Sequence, residues 1–181
     1  MDKTWKAIIW NQFGAAMDMM KNAIHTCPDD VWGDFSKKPE WKKNDVVGFW
    51  YLVYHTIFFL DYYLTHPAPT SENEFSPPAP FTLSEFDPAG ALPERVYTKE
   101  ELLSYLEHCR QKLRRLLSDW SENKAQRSSG IPYRDMTVAE LLMYNMRHVQ
   151  HHTAQLNLIL RQKIDSAPNW VSKTKDKLGR A

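Results

Sequence analysis

At 181 residues the chain is long enough to bury one full hydrophobic core and too short for two or more domains of ordinary size. Its 23 Lys and Arg nearly balance 22 Asp and Glu, a formal net charge of +1, so no global field draws it to nucleic acid or to an anionic membrane. The two cysteines, Cys27 and Cys109, have no CxxC spacing, and the opening MDKTWKAIIW lacks the pattern of a secretory signal, so a cytoplasmic protein is expected.

In chain order, the first helix is predicted over residues 4 to 26, ending before CPDD, where Pro28 disfavours helix at the residue preceding it. The second runs from about 45, after the polar run KKND, to 65, before Pro67. Its sequence VVGFWYLVYHTIFFLDYYL is apolar or aromatic except at Gly48, His55, Thr56 and Asp61. With His55 at its centre and Asp61 near one end, bilayer insertion would be costly, so a helix buried in protein is expected and no membrane partner. A helix at the edge of a bundle should keep a polar face, and this one does not. With His55 turned inward, Val46, Val53, Ile57 and Leu64 would face outward, and a homodimer is expected there unless the following connection covers them.

That connection, residues 66 to 97, holds seven of the eleven prolines. It is long enough to cross a bundle and set the second and third helices parallel; it serves either as a strap or as the cover of a site. The third helix opens at TKEELLSYLEHCRQKLRRLL, where Thr98 and Glu101 form a capping-box pattern ahead of a leucine stripe. The fourth opens at TVAE with the same pattern, Thr137 and Glu140, and runs to about 163. No strand is predicted. Residues 161 to 181 carry six Lys or Arg against two Asp and read as a solvated basic tail with Trp170 as a possible anchor. The domain division is therefore a helical domain over 1–165 and a basic tail over 166–181.

Three of the seven histidines fall in the fourth helix, in YNMRHVQHHTAQLNLILR. On a helical wheel with His148 at zero, the apolar stripe spans roughly 20° to 120°, His152 lies near 40° and His151 near 300°. His148 and His152, four residues apart, can therefore reach one metal ion, whereas His151 points elsewhere. His55 is the candidate third ligand, since an imidazole among Tyr51, Leu52, Phe58 and Phe59 needs a polar partner. The plainer reading is a core histidine satisfied by a hydroxyl or carbonyl, with His148 and His152 beside a polar pocket. His25 and His66 sit at helix ends, where an imidazolium suits the helix dipole, and neither they nor His108 needs a catalytic role.

A mid-helix histidine in YLVYHTIFFLDYYL, followed much later by HVQHHTAQL, resembles the DinB-like (YfiT-like) superfamily over about residues 4 to 163. The resemblance implies an all-α, up-down-down-up four-helix bundle with a divalent metal held by three histidines, here His55, His148 and His152; Gln155 matches the glutamine after the motif. This chain has Thr153, Ala154, Gln155 where the common pattern has Arg-Gly-Gln. Zn²⁺ or Ni²⁺ suit three neutral imidazoles with an open fourth position, with Fe²⁺ or Mn²⁺ as further candidates. The better-understood members use the metal to activate a low-molecular-weight thiol, which implies a thiol S-transferase acting on a small-molecule substrate. The same ligands could activate a water for hydrolysis. Tyr51, Tyr144 and Asn145 are candidate catalytic assistants and Asp61 a candidate acceptor for an imidazole N–H. A non-catalytic metal-binding or stress-response bundle, and a metal-free dimeric interaction module, are the competing readings.

Overall fold

In the computed structural model, residues 3–33, 48–65, 75–88, 92–131 and 134–179 are described. Four long helices dominate: α1 (Lys3–Thr26), α3 (Phe49–Thr65), α4 (Lys99–Ser118) and α6 (Val138–Ile164), with the single-turn helices α2 (Asp29–Trp32) and α5 (Glu122–Ala125) between them. The described residues form no strand, only an isolated bridge between Ser128 and Thr137. The fold is all-α.

Both predicted capping boxes are formed. Thr98 accepts from the Glu101 amide at 3.2 Å and the Glu101 side chain returns to the Thr98 amide at 2.8 Å; Thr137 and Glu140 repeat the exchange. Each box satisfies amides that the first helical turn leaves without partners. Helix α3 begins at Phe49; Val46 and the run KKND lie outside the described residues, as does His66. The one-turn helices were not predicted, because four residues leave no apolar periodicity to read.

The long helices pack as a ring of pairs: α1 on α6, α6 on α3, α3 on α4 and α4 on α1. The interior is filled by Phe13 and Met17 from α1, Tyr54 and Phe58 from α3, Leu113 from α4 and Leu156 from α6, all at most 1 % exposed. Among the described residues, no helix is long and apolar enough to cross a membrane.

The expected outward face of α3 is not a surface. Val53 and Ile57 are fully buried and Leu64 is 3 % exposed. The reason is that α3 is flanked by α4 and α6 and roofed by the strap at residues 75–88. There, Phe86 meets the rings of Phe58 and Tyr62 at 5.0 and 4.9 Å, and Phe81 stacks on Tyr105 at 4.3 Å. The surplus aromatic area is spent inside the chain, and the homodimer loses the surface on which it was predicted.

The tail is likewise docked rather than solvated. The Thr174 amide donates to the Asn11 carbonyl at 3.1 Å, its hydroxyl to Asp18 at 2.5 Å, and the Trp10 indole to the Asp176 carbonyl at 2.9 Å. Gly14 makes room for it: a Cβ at that position would lie 2.7 Å from Thr174 Cγ2. Trp170, 70 % exposed, is not the anchor.

Candidate metal centre

His55 lies midway along α3, and His148 and His152 on successive turns of α6, the helix that packs against it. One nitrogen from each imidazole falls within 4.8 Å of the others. Ring centroids are 5.0 Å apart for His55 and His152, 5.7 Å for His55 and His148, and 4.6 Å for His148 and His152. These are the three residues singled out as ligands, and packing brings them to one point. His151 touches the His152 ring at 5.0 Å yet is exposed and outside the trio, as the wheel required.

The surroundings hold two of the imidazoles neutral. Burial pushes His148 down to about 3, aided by repulsion from His152 and His55 and, more weakly, from His151 and Arg134. Burial also pushes His152 down to about 4, against its hydrogen bond to the Gln155 side-chain oxygen. Both therefore present nitrogen lone pairs at neutral pH without a competing proton, the state a metal ligand must adopt. Two ring nitrogens of the trio are occupied by hydrogen bonds. His152 Nδ1 lies 2.7 Å from Gln155 Oε1, and His55 Nδ1 lies 2.8 Å from Glu85 Oε2. His148 Nδ1 is buried and has no hydrogen-bond partner among the described residues. An orphaned buried nitrogen is costly, and a trio of imidazoles with that unmet need fits a divalent cation of borderline softness.

Tyr51 is buried and its hydroxyl donates to Glu85 Oε1, so it supports the site from behind rather than facing open space. Burial and the adjacent Glu85 carboxylate raise its pKa and keep the phenol protonated. Asn145, one turn before His148, is also buried; its amide donates to the Leu60 carbonyl at 3.0 Å and fastens α6 to α3. Tyr144 stands at the rim, with its ring 5.3 Å from Tyr63 and the Arg134 guanidinium 4.9 Å from its centroid. Asp61 is not an acceptor for the trio. It is fully buried against α4, where Tyr105 donates to it at 3.0 Å and Lys112 at 2.6 Å. His108 lies 3.9 Å from Asp61, and His25 is exposed in the last turn of α1.

Beside His148 an open groove of about 520 Å³ is lined by Tyr144, Arg147, Gln150, His151 and Ala154 as well. The residue missed in the sequence is Glu85. It sits in a single 3₁₀ turn (Ser84–Phe86) inside a proline-rich connection, and the only signal was the suspicion that such a connection covers a site.

No curated protein and no solved structure matches the chain significantly. A model of the DinB family matches residues 81–168. The matched stretch holds Glu85, His148, His152 and Gln155 and stops short of His55. With the third imidazole supplied by α3 at the same point, the match supports a DinB-like superfamily assignment for this chain.

Proposed function

We propose that the chain is a divalent-metal enzyme of the cytoplasm that activates a small nucleophile, a low-molecular-weight thiol for S-transfer or a water for hydrolysis. The observation that carries this reading is that three imidazoles converge with no fourth His, Cys, Asp or Glu donor in the group among the described residues, next to an open groove. A closed, purely structural site would fill the fourth position with protein. When bound at His55, His148 and His152, Zn²⁺ or Ni²⁺ supplies the Lewis acidity that lowers the pKa of a thiol or water.

The chain's own residues do the rest. Gln155 and Glu85 fix the orientation of His152 and His55. Phe59, with its centroid 4.9 Å from His55 and 6.0 Å from His148, limits water on one side. On the groove side Arg147 and His151 form a rim suited to the polar end of a small substrate. The two cysteines are buried and unpaired, which suits a reducing compartment, and burial pushes the Cys27 thiol up to about 12, leaving it inert.

The up-down-down-up order belongs to the same reading and is supported by how contacts step along the helices. From Tyr63 with Tyr144 to His55 with His152 they run in opposite senses on α3 and α6. From Ile57 with Cys109 to Thr65 with Lys112 they run in the same sense on α3 and α4. Lys6 with Ser118 and Asp18 with Arg110 make α1 and α4 antiparallel.

Metal content tests the site. His55→Ala, His148→Ala and His152→Ala should each lose most bound metal by elemental analysis, and His151→Ala should keep a full equivalent when all are purified alike. Loss in His151→Ala with retention in His148→Ala overturns the ligand set. For the open position, the visible spectrum of the Co²⁺-loaded protein should change on adding 2-mercaptoethanol; a spectrum indifferent to thiol and to azide supports the non-catalytic reading.

A further inference from the structure

We propose that Glu85 is a positioning residue of the histidine centre and that, through it, the strap at residues 75–88 is coupled to metal occupancy; this rests on the metal reading above. Both oxygens of this carboxylate are committed. Oε2 lies 2.8 Å from His55 Nδ1 and Oε1 accepts from the Tyr51 hydroxyl, while the side chain is only 4 % exposed. A carboxylate at Nδ1 accepts a proton from it, so Nδ1 is the protonated nitrogen and the lone pair of His55 is left on Nε2. The contact also fixes ring rotation between the flanking rings of Phe59, at 4.9 Å, and Tyr51, at 6.4 Å.

Glu85 comes from neither ligand-bearing helix. Its turn is pinned on both sides: Tyr54 Oη lies 2.9 Å from the Thr82 carbonyl, to which it donates, and 3.0 Å from Ser84 Oγ. On the far side Phe86 is wedged against Phe58 and Tyr62. The carboxylate is therefore delivered by a separately anchored segment, and whatever strengthens its bond to His55 also holds that segment down. An imidazole that shares the lone pair of one nitrogen with a cation donates more strongly from the other N–H. Metal occupancy and docking of the strap are then mutually reinforcing, as linkage requires.

The test uses the full chain with Zn²⁺ and Co²⁺. Wild type is expected to bind one Zn²⁺, and Glu85→Ala to bind it about 10- to 100-fold more weakly in competition with a chromophoric chelator. Glu85→Gln, which keeps the shape and an acceptor but drops the charge, is expected toward the weaker end of that loss, and it decides the matter if the alanine variant does not fold. A role confined to packing would lower the melting temperature of the metal-free protein and leave the Co²⁺ visible bands in place. A positioning role shifts the bands. In wild type, Zn²⁺ should slow amide exchange over residues 81–87, and in Glu85→Ala it should not. Variants within about two-fold of wild-type affinity and with unshifted bands overturn the role of Glu85 alone. A wild type that binds no stoichiometric Zn²⁺ overturns the metal reading itself, and the coupling with it.

Discussion

Lys112→Met isolates the buried pair that lies outside the histidine centre. Asp61 is fully buried, and its carboxylate receives Lys112 Nζ at 2.6 Å and Tyr105 Oη at 3.0 Å. Removing the ammonium while keeping the carboxylate leaves a buried charge with one neutral hydrogen bond, a loss of about 3–5 kcal/mol. Lys112 keeps 22 % of its side-chain exposure, so the low end, about 3 kcal/mol, is the better figure. For a chain of this length that lowers the melting temperature by about 6–12 °C. The double variant Asp61→Leu/Lys112→Met removes both charges and should melt above the single variant, since the pair as a whole contributes less than breaking it costs. Calorimetry on metal-free protein reads the shift, and elemental analysis should find metal stoichiometry intact in the single variant, because the partners of Asp61 lie on α4. A single variant within about 2 °C of wild type refutes the reasoning, and lost metal with an intact fold would return Asp61 to the site.

Gly14→Ala would put a Cβ 2.7 Å from Thr174 Cγ2, so the tail should lift, with a loss of about 1–3 kcal/mol and faster tryptic cleavage at Lys173 and Lys175; an unchanged cleavage rate removes the idea. Thr137→Ala deletes the acceptor for the Glu140 amide and should cost about 1 kcal/mol, read as a drop of about 2–4 °C in melting temperature. The pH dependence follows from His148 and His152, which fold with pKa values of about 3 and 4 against an ordinary value of 6.5. Their depressed values mean that the unfolded chain takes up protons first, so metal-free stability is full above pH 6.5 and declines as pH falls through 6.5 toward 3. His148→Asn/His152→Asn should show a shallower decline in chemical denaturation between pH 7 and 4, and equal slopes would count against it.

Where local chemistry decides, the sequence was readable. Thr98 and Glu101, and Thr137 and Glu140, carry their partners three residues away, and both boxes formed. His148 and His152 are set on one face by helical pitch, and His151 is set off it by the same pitch. What could not be read are contacts closed by the fold. Glu85 reaches back thirty residues to His55 from a segment with no periodicity, and Thr174 finds Asn11 and Asp18 across almost the whole chain. The burial of Val53 and Ile57 was missed for a related reason: a wheel gives directions around an axis and says nothing of how many neighbours surround it. Asp61 was placed near a helix end correctly, but its true partner, Lys112, lies on another helix.

The three imidazoles also fix an order of events in time. His55 leaves the ribosome roughly ninety residues ahead of His148, an interval of about 5–20 s at ordinary elongation rates. During that interval the nascent chain carries a lone imidazole on an aromatic helix, and only when α6 emerges and packs can the trio close. On the metal reading proposed above, a cation that needs all three imidazoles is captured only after α6 has packed on α3, late in synthesis or after it.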